Sequence, residues 1–178
     1  MAQSQDGRRF EECVLPHFDA AFNLARWLLR DRASAEDATQ EAMLRAYRFF
    51  DGVRGGDPRA WLLQIVRNCC YTLLRGNRPQ EDLSEIDQDS LPSAEPSPEA
   101  LAIASHDRAR ITRALEQLPV HFREILVLRE LEGCSYKEIA AITAHPIGTV
   151  MSALARARQQ LRVALTSPGA PKEGGRGL

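Results

Sequence analysis

Apolar residues return every three or four positions along almost the whole chain, and period-two alternation is nearly absent. That pattern restricts the fold to amphipathic helices laid against one another. Phe10, Val14, Phe18, Ala21, Leu24, Ala25 and Leu28 mark a first helix of about two dozen residues. The run "SAED" reads as a helix start capped by Ser34, leading to a second helix that ends near Phe50. "DGVRGGDP" is a loop by its glycines and proline. Pro58 opens a third helix with Trp61, Ile65, Cys69 and Leu73 along one side. Ser97 and Pro98 cap and open a fourth, with Ile111, Leu115 and Leu118 as its inner stripe. A fifth carries Phe122, Ile125, Leu128 and Leu131 and stops at Gly133.

One segment breaks the pattern. "PQEDLSEIDQDSLPSAEPS", residues 79–97, is acidic, proline-containing and poor in apolar side chains. It cannot bury enough surface to offset the entropy of ordering it. Residues 79–104 carry a net charge of −7 with no base, whereas residues 1–78 carry +2 and residues 105–165 carry +3, so the overall −1 hides a partition. The expected fold class is all-α: two small helical domains, 8–78 and 98–165, joined by an acidic flexible linker, 79–97. The tail, 166–178, is expected to be disordered.

The stretch "GCSYKEIAAITAHPIGTVMSALARAR" is the most informative. No Asp or Glu occurs between Glu138 and Glu173. Ser135 and Glu138 form a capping box, so a helix starts at Tyr136, with Ile139, Ala140 and Ile142 buried. Thr143, Ala144 and His145 make a short turn before a helix that Pro146 begins. Ile147, Val150, Leu154, Leu161 and Leu165 share one face of that helix. Thr149, Ser152, Ala153, Arg156 and Gln159 share the other. Two helices joined this way form a helix-turn-helix, whose second helix enters a DNA major groove. A helix lying between phosphates excludes carboxylates from its exposed side. Thr149 and Ser152 suit hydrogen bonding to DNA, and Arg156 and Arg158 suit phosphate neutralisation.

"LPVHFREILVLRELEGCSYKEIAAITAHPIGTVMSALARARQQLR" resembles the −35-reading domain of bacterial sigma factors. "SAEDATQEAMLRAYRFF" and "RAWLLQIVRNCCYTLLR" resemble the core-binding and −10-reading helices of that family. Two motif blocks in order, with only a short linker, match its extracytoplasmic-function subgroup. The resemblance implies a sigma factor that binds core RNA polymerase and directs initiation from −10 and −35 elements. It implies that Asp37, Gln40 and Glu41 dock on the β′ clamp helices, and that the flap of the β subunit is a second contact. Asn68 matches a residue that takes a flipped −10 base; Trp61 and Tyr71 offer stacking surfaces, and Arg59, Arg67 and Arg75 lie in an acid-free window. Lys137 joins Thr149, Ser152, Arg156 and Arg158 as a −35 candidate. An anti-sigma factor is an expected partner, alongside promoter DNA. Two departures stand out: Ala144-His145 occupies a turn where the family carries glycine and an aliphatic residue, and Ala153 stands where arginine is usual.

Other functions fit less well. A response-regulator output domain requires an α/β receiver, for which residues 1–78 carry no strand signal. A polymerase-binding adaptor without DNA readout has no need of Thr149, Ser152 and Arg156 on one face. No nucleophile–base set, phosphate loop or metal-ligand spacing is present, so neither catalysis nor a cofactor is expected. Cys13, Cys69, Cys70 and Cys134 form no CxxC pair and are expected to be reduced thiols. A polar N-terminus and the lack of a long apolar run predict a cytoplasmic protein without membrane insertion.

Overall fold

The structure, a computed structural model, describes residues 2–50, 56–76 and 98–166. The acidic segment 79–97, with the expected cap Ser97, lies outside the described residues, as does 167–178. Eight α-helices are described: α1 (Ala2–Cys13), α2 (Phe18–Leu29), α3 (Arg32–Arg48), α4 (Pro58–Gly76), α5 (Pro98–Gln117), α6 (Val120–Leu126), α7 (Tyr136–Thr143) and α8 (Ile147–Thr166). No strand occurs among the described residues, and the fold is all-α.

The single long first helix is not found. Pro16 lacks the amide that would continue the ladder, and a 3-10 turn, Leu15–His17, separates α1 from α2. The cap of α3 also differs. Asp31, not Ser34, is the N-cap, and its carboxylate accepts from the Ser34 amide at 2.7 Å. That bond holds the Asp31 carboxyl below the usual range. Asp outcompetes the later Ser because a charged acceptor binds an orphan helix amide more strongly. At the C-terminal end, Thr166 belongs to α8 rather than to a disordered tail.

α2, α3 and α4 pack together. α3 presents Ala35, Ala38, Ala42 and Ala46 inward, all at most 1% exposed. These small side chains allow close helix approach, which is how a chain with few aromatics fills a core. Facing them are Leu24, Leu28, Leu62, Leu63 and Val66, also buried. The inner stripe of α4 is therefore offset from the expected one: Leu62, Leu63, Val66, Cys69 and Cys70 are buried, while Trp61, Ile65 and Leu73 are only half-buried. Two neighbouring positions are buried at each turn because α4 is covered on two sides, by α2 and α3 and by α7.

In the C-terminal helices, Ala114, Leu115, Leu118, Ile125, Leu126, Val127, Leu128, Ile139, Ile142, Val150, Leu154 and Ala157 are buried. Ile111, Leu131 and Ile147, expected inside, are exposed by 46–52%. α6 continues into a π-helical turn, Val127–Leu131, closed by the Glu132 amide donating to the Val127 carbonyl at 3.0 Å. The wider turn shifts the register within itself, so that Leu131 at its end leaves the apolar stripe and lies outside the core. Gly133 then adopts φ +65°, as expected of a helix stop.

The capping box of α7 is present. Glu138 N–H donates to Ser135 Oγ at 3.2 Å, and Ser135 N–H donates to Glu138 Oε2 at 2.6 Å. These bonds hold the Glu138 carboxyl below its ordinary value of 4.5. Ser135→Ala is expected to lower unfolding stability by about 1 kcal/mol, measured by urea denaturation. A lowered folded pKa means that the Glu138 contribution is complete above the ordinary value and is lost as pH falls through the lower folded value. The stability deficit of Glu138→Gln should therefore be largest at neutral pH and shrink below pH 4.5. A deficit independent of pH would contradict this assignment.

Candidate nucleic-acid and polymerase interface

α7, a short turn and α8 form the expected helix-turn-helix. Ala144 caps α7 in the left-handed region at φ 56°, with its amide donating to the Ala140 carbonyl. A β-carbon there costs about 1 kcal/mol, which explains why a glycine is the ordinary solution. On α8, Val150, Leu154 and Ala157 face the core. Thr149, Ser152, Arg156 and Gln159 are exposed, and Lys137 is exposed on the first turn of α7. Ala153 is half-buried against the core rather than on the outer face. The Ser152 hydroxyl donates to the Thr149 carbonyl at 3.0 Å, which leaves its lone pairs outward.

Arg158 is differently placed. Its Nε and Nη2 donate to Glu130 Oε1 at 3.0 and 2.6 Å. Both partners are about half-exposed, so this pair contributes little and a phosphate can replace the carboxylate.

α4 carries the candidates for contact with melted DNA, and they divide between two faces. Asn68 and Arg75 are exposed. Arg59, Arg67 and Tyr71 instead turn towards the C-terminal helices. Arg67 Nε donates to Glu124 Oε1 at 2.5 Å, Tyr71 Oη donates to Glu124 Oε2 at 2.9 Å, and the Arg67 guanidinium lies 4.4 Å from the Tyr71 ring centre. Arg59 donates to the carbonyl and the carboxylate of Glu132. Trp61 is half-buried.

Asp37, Gln40 and Glu41 are all exposed on α3. Glu41 accepts from Arg45 Nε at 2.6 Å one turn on. Beside them runs a groove of about 550 Å³ whose apolar lining is Leu15, Phe18, Phe22 and Met43, with Gln40 on its rim. Leu15 and Phe18 are over 40% exposed, an unusual state for large apolar side chains that adjoin one another.

Sequence reasoning missed this groove, because Leu15 and Phe18 fell within the helix assumed to be continuous. It also missed the buried charged residues between the two helical groups. Glu124 is 2% exposed and Arg123 is 5% exposed. A signal was available: Arg123 and Glu124 stand four positions before Val127 and Leu128, which places them on the same helix face as those apolar residues. Burial pushes the Glu124 carboxyl up against the opposing pull of Arg67. Burial also draws Arg123 down to about 10, which leaves it protonated at neutral pH. The four cysteines are free thiols. Burial pushes Cys70 up to about 12 and Cys134 up to about 11, so neither is a reactive thiolate. Among the described residues no cluster could hold a metal ion, and no helix is long and apolar enough to cross a membrane.

Two family descriptions match this chain in order: "Sigma-70 region 2" over residues 14–80 and "Sigma-70, region 4" over residues 108–161. Together they cover more than half of it. The chain belongs to the sigma-70 family. Its similarity to named members is substantial. It is 37% identical over 155 residues to the ECF RNA polymerase sigma factor SigE of Mycolicibacterium smegmatis, covering 86% of this chain and 60% of the relative. It is 33% identical over 172 residues to the RNA polymerase sigma-H factor of Pseudomonas aeruginosa, covering 92% of this chain and 89% of that relative. The crystal structure of the sigma factor RpoE in complex with the anti-sigma factor NepR from Bartonella quintana matches at a TM-score of 0.71 and 29% identity, over 90% of this chain and 98% of that one. The subgroup is the extracytoplasmic-function one. The region 2 match contains α2, α3 and α4, and the region 4 match contains α7 and most of α8, the helix-turn-helix.

The strain at Ala144 yields a direct test. Ala144→Gly should raise unfolding stability by about 1 kcal/mol. Thermal melts of the two chains measure it, and an unchanged or lower melting temperature would show that the turn does not strain Ala144.

Proposed function

We propose that this chain binds core RNA polymerase and directs promoter-specific transcription initiation, reading −10 and −35 elements, with no catalysis of its own. The observation that carries this reading is the presence of region 2 and region 4 helices in a single chain, in the family's order. Adding the purified chain to core polymerase tests it. Promoters transcribed only in its presence are the expected result. Transcription no better than core alone on every genomic promoter would refute it.

Region 4 reads the −35 element through α8. Thr149, Ser152 and Arg156 form the contact face, Lys137 reaches a flanking phosphate, and Arg158 exchanges Glu130 for a phosphate. The exposure of these side chains on an acid-free helix supports the assignment. Ala153, half-buried, supplies no contact. Arg156→Ala should weaken duplex binding and lower its salt slope by about one unit. An unchanged slope would make Arg156 a merely solvated residue.

Region 2 meets the melted −10 strand through α4. Asn68 takes a base, and Arg59, Arg67, Arg75 and Tyr71 offer charge and a stacking ring. Trp61 assists by fixing the helix rather than by stacking. Asn68→Ala should reduce open-complex yield and −10 discrimination while −35 duplex binding stays intact. Equal yields on matched and mismatched −10 sequences, before and after substitution, would remove the assignment.

Asp37, Gln40 and Glu41 hold the β′ clamp helices, and the apolar groove beside them gives that contact its buried centre. Polar rims around an apolar pocket are the usual anatomy of a stable interface. Alanine at all three positions should weaken core binding at least tenfold, about 1.4 kcal/mol. Stability should hardly change, since exposed helix positions cost little. Undiminished affinity in a pull-down would contradict it. The Bartonella quintana structure holds its sigma factor in complex with an anti-sigma factor, which supports a partner of that kind for this chain. The domain limits 8–78 and 98–165, and the linker role of 79–97, belong to the same proposal.

A further inference from the structure

Two large apolar side chains at the start of α8 lie off its core face. Ile147 is 46% exposed and Met151 is 52% exposed, while Val150, Leu154 and Ala157 fill the inner face. Met151 shares one side of the helix with Gly148, Ser152 and Ala155, at spacings of three and four, and all four are exposed. That side borders Thr149 and Arg156, so it is continuous with the surface assigned to the −35 element. Gly148 adds a second observation. It is helical, and a β-carbon built there meets nothing within 4 Å. Glycine in a helix costs stability relative to alanine, and neither a left-handed turn nor a neighbouring atom calls for it here. A surface that approaches the backbone from outside accounts for it. The N-terminal half of a recognition helix is the part that meets base edges, and Gly148 stands in its first turn.

The chemistry of that half is restricted. Residues 147–155 include no Lys, Arg, Asn or Gln. Guanine is read by the paired donors of arginine or by lysine, and adenine by the amides of Asn or Gln, so no common bidentate contact is available there. Arg156, the first cation, stands about 13.5 Å along the axis from Ile147 at about 1.5 Å per residue. What the first two turns offer instead is the apolar surface of Met151 beside the hydroxyls of Thr149 and Ser152. The Ser152 hydrogen is committed to the Thr149 carbonyl at 3.0 Å, so Ser152 presents acceptor lone pairs.

An apolar surface next to an acceptor matches one kind of base pair. In the major groove A·T shows the thymine methyl group and the adenine N6 donor. G·C shows no methyl group, and although cytosine offers a donor at N4, guanine sets two acceptors, N7 and O6, against any acceptor placed over it. We propose that Met151 is a specificity-determining residue of α8: it packs on a thymine methyl group while Ser152 accepts from an adenine N6 amine. The −35 sequence of this chain then carries A·T pairs where the first two turns of α8 enter the groove. Gly148 lets the backbone come close enough for the contact, and the unbranched, polarizable Met side chain adapts its shape to the base edge. This inference deepens, and rests on, the reading of region 4 as the −35 contact.

The test assembles the full chain with core RNA polymerase and selects bound DNA from a duplex library randomised around −35. Enrichment of A·T pairs is the expected result. Replacing the enriched thymines one at a time by deoxyuridine removes only the methyl group. At one position that change should weaken binding about fourfold, the scale of one buried methyl group. With Met151→Ala the thymine and uracil duplexes should bind equally, and Met151→Lys should move the selected pair towards G·C. Gly148→Ala should keep or raise the melting temperature yet weaken duplex binding about tenfold, the scale of one good base contact, which a glycine needed only for folding would not do. Selection of G·C throughout, or no effect of uracil at any position, would overturn the proposal. So would Met151→Ala that impairs assembly with core polymerase while leaving the base preference unchanged, since the apolar surface would then face a protein. Enrichment of no sequence at all would refute the −35 reading of region 4 itself, and the methyl contact with it.

Discussion

A buried carboxylate between Arg67 and Tyr71 sets the relation between the two halves of this chain. Glu124 is covered from water, so it requires a cation and a donor, and α4 supplies both. That requirement is directional. Apolar surfaces tolerate sliding, whereas an arginine fork and a phenol hydroxyl meeting one carboxylate do not. The pairing fixes which face of α6 meets which face of α4, and Arg123 at the end of α2 fixes the rotation about that contact.

Each half is built from simple parts. In region 2, the alanine row of α3 permits close packing against leucines of α2 and α4, so a small core forms without large rings. In region 4, the capping box starts α7, the left-handed Ala144 ends it, and Pro146 leads into α8. The π-helical turn after α6 sends successive acids in different directions: Glu130 to Arg158 on α8, and Glu132 to Arg59 and Asn23 in region 2. One local irregularity thus connects the helix-turn-helix to the helix that carries the −10 candidates.

Much of the fold was legible in the sequence because its signals are local. Periodicity gave the helices, Ser135 and Glu138 gave the start of α7, and Gly133 gave a stop. The errors have local causes too. Pro16 was overlooked inside a periodic run. Asp31 competed with Ser34 for one cap. Trp61, Ile65 and Leu73 were favoured over Leu62, Leu63 and Val66 because a single-stripe pattern was assumed for a helix covered on two sides. Ile111 and Ile147 fit the apolar period yet face water, since period alone does not say how much of a stripe a neighbour covers, and Leu131 leaves its stripe through the π-helical turn.

The sequence by itself determined the helical class, the helix-turn-helix, the acid-free face of α8 and the two motif blocks that mark the family. These follow from spacing within one helix or between adjacent ones, where the backbone fixes which side chains share a face. Only the tertiary structure decided that Arg59, Arg67 and Tyr71 meet acids more than fifty positions away, that Arg158 pairs with Glu130, and that Leu15, Phe18, Phe22 and Met43 share one groove. Contacts at such separations depend on how whole helices dock. Docking depends on the summed packing of many side chains with the burial of a few charges, and no short window of sequence contains that sum.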